Sequence, residues 1–258
     1  MTACVETFKV NKINSKCTFD FTTSDEDTAI LLYDRDFSTQ ITSVASSDGT
    51  NEKIKVTFET AQIINAVAIM NHNIKTGNIK YLDSGGSEVD FTSAIAWSGN
   101  TTITNNYYDV AEVTAYGLVV NCTHTIDAGQ KRIGQLIGLE RIASFNSPAR
   151  FMPSFGIEAV NNTKADGGID KIIKGVKHKG QIKFDNLDDD DLDNLFELSQ
   201  YSEPFWIYLS KLSTVKAKRF FRVQDIFLVN MTNEPNPMLP DGLVDGIGWI
   251  DSLEFAEV

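Results

Sequence analysis

Apolar and polar residues alternate along much of this chain, and the alternation predicts a protein built mainly of β-strands. The clearest example is the segment Lys53–Phe58, in which every second residue is apolar. A period of two over six residues is typical of a strand with one buried face. The nearly continuous apolar run Ile63–Met70 follows and predicts a strand that is covered on both faces. Together these segments predict a β-sandwich.

Further strands are predicted by similar patterns in both halves of the chain. They cover residues 17–22, 78–82, 89–91, 116–122, 130–139, 156–160, 169–174, 175–184, 204–209, 220–223, 226–229 and 249–255. In the segment 130–139, Gly134 and Gly138 permit a bend or a bulge. Residues 94–109 have no sustained pattern and are predicted to be irregular loops between short strands.

One helix is predicted, over residues 187–199. Asp185 or Asn186 can cap its start, and Asp188–Asp191 fall in its first turn, where negative charge favours a helix N-terminus. These four aspartates lack the spacing of an EF-hand, so we favour the helix start over a metal cluster. Residues at helical spacing form one stripe along the helix: Leu192, Leu195, Phe196 and Ser199.

The length of 258 residues predicts two domains, since domains commonly have roughly 100–200 residues. A turn-rich segment around 144–148 places the boundary between 1–143 and 144–258. The net charge is -12. This acidic balance disfavours nucleic-acid recognition, because contacts to phosphates require clustered basic residues.

The motifs of common enzymes do not occur in the sequence. There is no Gly-x-Ser-x-Gly, His-Glu-x-x-His, P-loop or dinucleotide-binding motif, so we expect no catalysis. The sequence leaves open the possibility of a catalytic triad assembled from residues that are distant along the chain. The three cysteines include no CxxC pair, which suits a reducing cytosol better than a disulfide framework or a zinc site. We expect no signal peptide and no membrane span.

Several segments of the first half resemble the discoidin-like branch of the galactose-binding-like β-sandwiches. The segments that carry this resemblance are the acidic turn 32–39, the alternating strand 53–58, the run 63–73 ending in Asn-His-Asn, and the strands 116–120 and 132–136. The Trp that commonly follows the Thr of the turn in that family is missing here. The resemblance implies a jelly-roll sandwich over roughly residues 15–142.

The acidic turn is the first candidate site. In the family that the chain resembles, this turn often holds a structural cation, so Asp34, Asp36 and Thr39 are candidate calcium ligands. Carboxylates and hydroxyls are suitable ligands for that ion. The alternative is an Asx-turn, in which the carboxylates accept hydrogen bonds from nearby backbone N–H groups. No other cofactor is expected.

Three aromatic residues are the second candidate site. The same family often binds sugars in loops at one end of the sandwich, and Trp97, Tyr107 and Tyr108 are the residues here that could stack on a sugar ring. The alternative is that they are core or interface aromatics. The sugar-stacking interpretation fits a carbohydrate-binding module that adheres to host-surface glycans.

Lysines in the second half are the third candidate site. Lys171, Lys174, Lys177 and Lys179 lie in the long predicted hairpin 169–184. On alternate strand positions they would protect an exposed edge or face an acidic partner. The hairpin, the helix after it and the closing strand resemble the tube-type β-domains of tailed-phage tail proteins.

These observations together predict a mainly β structural protein of a phage or phage-like tail, with a galactose-binding-like domain followed by a tail-tube-like domain. The resemblance implies copies of itself in a ring and neighbouring tail proteins as partners, with assembly in the host cytoplasm before incorporation in the virion. A carbohydrate-binding module and a hydrolase are the alternatives.

Overall fold

The computed structural model describes residues 5–36, 39–43, 48–146, 149–163, 169–209, 226–232 and 249–257. For some of these residues it describes the backbone alone, namely 104, 149–163, 169–178, 185–186, 226–227, 249–252 and 257. The predicted strand at 220–223 lies outside the described residues. Most of the described chain is in strands, which confirms the prediction of a mainly β protein.

Within the described ranges, the elements in chain order comprise sixteen strands, one 3-10 helix and one α-helix. They are β1 Val5–Phe8, β2 Thr18–Phe21, the 3-10 helix Glu26–Leu32, β3 Ile41–Thr42, β4 Glu52–His72, β5 Ile74–Leu82, β6 Glu88–Val89, β7 Ile95–Ser98, β8 Thr104–Thr125, β9 Arg132–Ile133, β10 Gln135–Leu139, β11 Arg141–Phe145, β12 Ala149–Thr163, β13 Ile169–Leu187, α1 Asp189–Ser199, β14 Phe205–Tyr208, β15 Ile226–Met231 and β16 Trp249–Glu257.

The chain divides into two compact units, and one of them is discontinuous in sequence. Residues 10–141 form the sandwich unit, and residues 1–9 with 142–258 form the second unit, which we call the split unit. This differs from the predicted division into 1–143 and 144–258, because β1 pairs antiparallel with β14 near the other end of the chain. The sandwich unit is therefore an insertion after the first strand of the split unit.

The sandwich unit is built around two long, bulged strands. Its sheet has the order β10-β4-β8-β5-β6, with β2 added to β4 and β7 added to β5, and β3 pairs separately with β9. The pairing of β4 with β8 shifts register at three places, and such bulges bend a strand. One hydrophobic core collects residues from both ends of β4, including Ile54 and Ile69.

Strand β4 joins the two segments that the sequence predicted as separate strands. Ile54, Val56 and Phe58 are buried while Thr57 between them is exposed, as the alternation predicted. The prediction of irregular loops over 94–109 was wrong for much of that segment. Residues 95–98 form β7, and β8 begins at 104, because its polar side chains there find hydrogen-bond partners on neighbouring strands.

The split unit has a seven-stranded sheet in the order β11-β1-β14-β15-β16-β13-β12. Strands β12 and β13 form a long antiparallel hairpin that pairs from Ala149↔Phe184 to Thr163↔Ile169. The predicted hairpin within 169–184 was therefore wrong, because both of its predicted strands belong to the single strand β13. A separate hydrophobic core contains Phe145, Phe184 and Phe205. No helix in the described part of the chain is long and apolar enough to cross a membrane.

The predicted helix is present as α1, but its start differs. Asp188, rather than Asp185 or Asn186, is the N-cap, and its side chain accepts a hydrogen bond from the backbone N–H of Asp191. The buried face also differs from the predicted stripe, since Leu195 and Leu198 are buried whereas the predicted Phe196 is 48% exposed and Ser199 is exposed.

Candidate binding site

The tripeptide Asn71–Asn73 organises one end of the sandwich unit by holding two loops. The side-chain amide of Asn73 donates to Asp127 Oδ1 at 3.0 Å and to the Gln130 carbonyl oxygen at 2.8 Å. Asn71 has a positive φ of 49°, and its carbonyl oxygen accepts from the side chain of Gln40 at 3.1 Å. This polar exit of β4, which carried part of the family resemblance, therefore has a structural role.

His72, the middle residue of the tripeptide, is fully buried and neutral. Its Nδ1 accepts a hydrogen bond from the backbone N–H of Ile74 at 3.1 Å. Nε2 must therefore carry the ring proton, which it donates to Asn106 Oδ1 at 3.1 Å. Burial lowers the pKa of His72 to about 4, against an opposing effect of the Asn106 hydrogen bond. At neutral pH this histidine is a packing residue.

The aromatic residues predicted to bind glycans lie beside His72. The ring of Trp97 is 5.8 Å from that of His72 and 6.1 Å from that of Tyr108, and only 9% of Trp97 is exposed. Its indole packs on Gly77, where an added Cβ would be 2.6 Å from Trp97 Cζ2. A stacking platform needs an open ring face. The indole of Trp97 instead belongs to the core, as the alternative interpretation expected.

The two tyrosines are in different positions. The hydroxyl of Tyr108 accepts a hydrogen bond from Asn106 Nδ2 at 2.7 Å, and burial raises the pKa of Tyr108. Tyr107 is half-buried, and as the preceding residue of β8 it points to the other side of the strand. The structure therefore brings Trp97 and Tyr108 together but does not bring Tyr107 to them.

The acidic turn, defined by Asp34, Asp36 and Thr39, has the hydrogen bonds of an Asx-turn. Asp34 Oδ1 accepts from the Asp36 backbone N–H at 2.9 Å, and Asp34 Oδ2 accepts from the Thr39 hydroxyl at 2.7 Å. The side-chain amide of Gln135, from β10, also donates to Asp34 Oδ1 at 2.6 Å. Sequence reasoning missed Gln135 because it lies 101 positions from Asp34.

An exposed histidine–carboxylate pair lies at a loop of the sandwich unit. His124 Nδ1 is 3.3 Å from Asp48 Oδ2. The hydroxyl of Thr125 is 3.0 Å from Asp48 Oδ1 and 3.2 Å from the carbonyl oxygen of Gly129. The pKa of Asp48 is lowered, first by the hydrogen bond from the Thr125 backbone N–H. This hydroxyl is engaged by a carboxylate and a carbonyl, so the trio holds a loop instead of forming a nucleophile and base.

A polar groove lies on the surface of the sandwich unit. Its volume is about 200 Å³. It lies at the first bulge of β4, between Thr57 and Gln62, where the pairing with β8 is interrupted. The residues that line the groove are Lys12, Asn14, Lys16, Cys17, Phe58, Glu59, Thr60 and Gln62.

The groove has a closed floor and a polar rim. Phe58 is buried, and burial raises the pKa of the Cys17 thiol, which therefore stays protonated at neutral pH. On the rim, Lys16 Nζ is 3.9 Å from Glu59 Oε2. Gln62 Nε2 donates to the Thr60 hydroxyl at 3.0 Å. The rim thus offers amide, ammonium, hydroxyl and carboxylate groups within a small space.

A second groove, of about 590 Å³, lies in the split unit. Its lining includes Tyr201, Glu203 and Thr232. Thr232 is the last described residue before 233–248, which fall outside the described part of the chain. We therefore assign no function to this groove.

The predicted lysine site lies on β13. Lys179 is exposed, and the backbone places Lys171, Lys174 and Lys177 along the same strand. Lys174 sits at a register shift in the β12–β13 pairing, where β13 accommodates one extra residue. An extra residue reverses the alternation. Position 171 therefore falls on the opposite face of the ladder from positions 177 and 179, so the four lysines do not share one face.

Within the described residues, no group of three or more His, Cys, Asp or Glu residues is arranged to hold a metal ion. His72 is buried and His124 is held by Asp48, as described above. The backbone of His178 lies in β13.

The chain matches no family model and no curated protein. Among solved structures, a mutant of chitosan-binding module 1 from a Paenibacillus sp. IK-5 chitosanase/glucanase is 14% identical, with a TM-score of 0.43. That match covers 51% of this chain and 98% of the module. The family 32 carbohydrate-binding module of Clostridium perfringens NanJ, solved with galactose, is 14% identical with a TM-score of 0.39, and the match covers 53% of this chain and 99% of the module.

A putative alpha-L-fucosidase from Bacteroides thetaiotaomicron is also 14% identical, with a TM-score of 0.43. This match covers 53% of this chain but 30% of the fucosidase. At these identities the similarity concerns the fold, and TM-scores below 0.5 assign no ligand or activity to this chain.

Proposed function

We propose that the protein is a non-catalytic carbohydrate-binding protein, and that the groove at the first β4 bulge holds the sugar. The groove itself is the observation that supports this proposal. Its rim residues Lys16, Glu59, Thr60 and Gln62 supply hydrogen-bond donors and acceptors, and most of the groove surface is polar. A few convergent polar groups are what fixes the orientation of a small ligand in its site.

A sugar ring suits this chemistry because each of its hydroxyl groups both donates and accepts hydrogen bonds. The amide of Gln62 and the ammonium of Lys16 can donate to it, while the carboxylate of Glu59 can accept from it. The volume of about 200 Å³ suits a single sugar ring better than a larger ligand. These features favour the bulge over Trp97 as the proposed binding surface.

The test is to screen the full-length chain on a glycan array and to measure the affinity of any hit by calorimetry. The double variant Glu59→Ala/Gln62→Ala should weaken binding by roughly tenfold or more, since each lost hydrogen bond costs about 1 kcal/mol. The matched control is Tyr107→Ala, which should leave the affinity unchanged. A folded protein that binds no glycan on the array contradicts the proposal. A loss of binding in Tyr107→Ala alone would contradict the placement in the groove.

A second candidate function is a structural component of a phage or phage-like tail that assembles through the split unit. The supporting observation is the outer part of the long hairpin. In the part of the chain that the structure describes, residues 169–178 of β13 pair with β12 and with no third strand, whereas Lys179–Phe184 also pair with β16. An isolated two-stranded ribbon is marginally stable in water, so a further strand is expected to cover it.

We infer that a second copy of this chain supplies that strand or surface. The split unit carries two regions of opposite charge, which are the basic positions on the hairpin and the acidic start of α1. Head-to-tail contact between such surfaces closes into a ring when the rotation permits. Charge complementarity mainly sets the register and the choice of partner. In this function the site of action would be the virion tail, after assembly in the host cytoplasm, and glycan binding by the sandwich unit remains compatible with it.

The assembly candidate is tested by light scattering after size-exclusion chromatography of the full-length chain. The double variant Lys177→Glu/Lys179→Glu should reduce the oligomer mass. Lys171→Glu is the matched control, because position 171 lies on the opposite face of the ladder and its reversal should have a smaller effect. A wild-type chain that stays monomeric at high concentration and low salt would rule out the homo-oligomer.

A further inference from the structure

The acidic turn directs three oxygen atoms at one point, and a side-chain nitrogen occupies that point. Gln135 Nε2 is 2.6 Å from Asp34 Oδ1, 3.1 Å from the Leu31 carbonyl oxygen and 3.4 Å from the Asp36 carbonyl oxygen. The amide NH₂ group has two hydrogens to donate, and all three neighbouring atoms are acceptors. This neutral group can therefore satisfy two of the three oxygens, and the Asp36 carbonyl oxygen also accepts from the Thr39 backbone N–H at 3.2 Å.

We propose that Gln135 takes the place of the structural cation that the family resemblance implies, so that the turn is stable without metal. Calcium needs oxygen ligands at about 2.3–2.6 Å, and an amide nitrogen that donates hydrogen bonds is not such a ligand. Two further donors in the described part of the turn are also in use. The Asp36 N–H and the Thr39 hydroxyl satisfy the Asp34 carboxylate at 2.9 and 2.7 Å. The donor set fits a hydrogen-bonded turn and does not fit a calcium site.

The strand that carries Gln135 holds its amide in this position. Gln135 is 1% exposed, and its backbone pairs with Met70 at the start of β10. The preceding residue, Gly134, lets the turn approach closely, since an added Cβ there would be 3.2 Å from the Thr39 carbonyl oxygen. The amide therefore reaches the turn from a rigid strand and not from a mobile loop.

The role of the amide predicts what a carboxylate would do at the same position. Gln135→Glu would place a second carboxylate where Nε2 now lies 2.6 Å from Asp34 Oδ1. Two carboxylates at that distance cannot both be ionised unless a cation lies between them. The substitution should therefore convert a metal-independent turn into one that requires calcium.

The first arm of the experiment uses the wild-type full-length chain. Its melting temperature should be the same in EDTA and in millimolar calcium, and calorimetric titration with calcium chloride should show no binding. A wild-type chain whose melting temperature falls in EDTA and rises again with calcium would overturn the proposal. That result would mean that the Gln135 amide has rotated to present its oxygen to the ion.

The second arm uses variants. In EDTA, Gln135→Glu should lower the melting temperature by roughly 4–8 °C, and calcium should restore at least half of that loss. Gln135→Met, which removes the donor without adding a charge, should lose stability that calcium does not restore. Gln130→Glu, at an exposed position, is the control for adding a carboxylate and should not respond to calcium. A Gln135→Glu variant that equals the wild type in EDTA would also overturn the proposal.

Discussion

Acidification should destabilise the sandwich unit through His72, and the size of the effect follows from its pKa. Above pH 6.5 the imidazole is neutral in both the folded and the unfolded chain, so it adds no pH dependence. Between pH 6.5 and about 4 the unfolded chain binds a proton that the folded chain excludes, because burial lowers the pKa of His72 to about 4. The free energy of unfolding is therefore retained at neutral pH and decreases as the pH falls through this window.

The magnitude comes from the distance between the two pKa values. The folded value of about 4 lies below the ordinary value of 6.5. One pKa unit corresponds to about 1.4 kcal/mol, so the full loss is roughly 3 kcal/mol. The main cause is the burial of the ring. A second ring proton would also remove the acceptor, Nδ1, which now satisfies the buried N–H of Ile74 at 3.1 Å.

The assay is urea unfolding of the full-length wild type and of His72→Gln at pH steps from 7.5 to 4. The wild type should be the more stable protein at pH 7.5, and its advantage should shrink by roughly 3 kcal/mol at pH 4. An NMR titration of the histidine ring should independently give a pKa near 4 for His72. The control is His124→Gln, since His124 is exposed. A stability difference that does not change with pH would refute this reasoning.

Three further predictions concern stability, all measured by urea unfolding or circular dichroism. Asp188→Ala should cost about 1 kcal/mol because it removes the N-cap of α1. Asp190→Ala, at an exposed position, should cost only about a few tenths of a kcal/mol. Equal effects of the two substitutions would contradict the cap. Gly117→Ala should cost at least about 2 kcal/mol, because its Cβ would lie 2.2 Å from a carbonyl oxygen of the paired strand. Gly49→Ala, with open space around it, should be neutral. A tolerated Gly117→Ala would contradict the packing. A fragment of residues 10–141 should unfold cooperatively on its own, and a disordered fragment would contradict the unit boundary.

Sequence patterns predicted the elements whose signal is local. The alternation over 53–58 and the apolar run over 63–70 predicted β4, because each residue's burial follows from its position on the strand. Helix α1 was predicted from its aspartates and leucines. The cap was misplaced by two or three residues because several adjacent polar residues can each act as an N-cap.

Features that depend on distant residues could not be read from the sequence. The pairing of β1 with β14 joins residues about 200 positions apart, and nothing in Val5–Phe8 identifies its partner. The amide of Gln135 meets Asp34 only after β10 has paired with β4. The groove was also missed, although its signal was visible. The segment 59–62, in which three of four residues are polar, separates two apolar segments that belong to one strand.

The insertion of the sandwich unit after β1 has a consequence for synthesis on the ribosome. Roughly 200 residues separate Phe8 from Phe205, so at about 5–20 residues per second β1 waits about 10–40 s for β14 to emerge. The whole of residues 10–141 is translated during that interval and can fold within it. Strand β11, the other neighbour of β1 in the sheet, emerges earlier, so the arrival of β14 completes the burial of Val5 and Phe8. Strand β1 thus gains its second neighbour in the sheet only after the whole of residues 10–141 has been made.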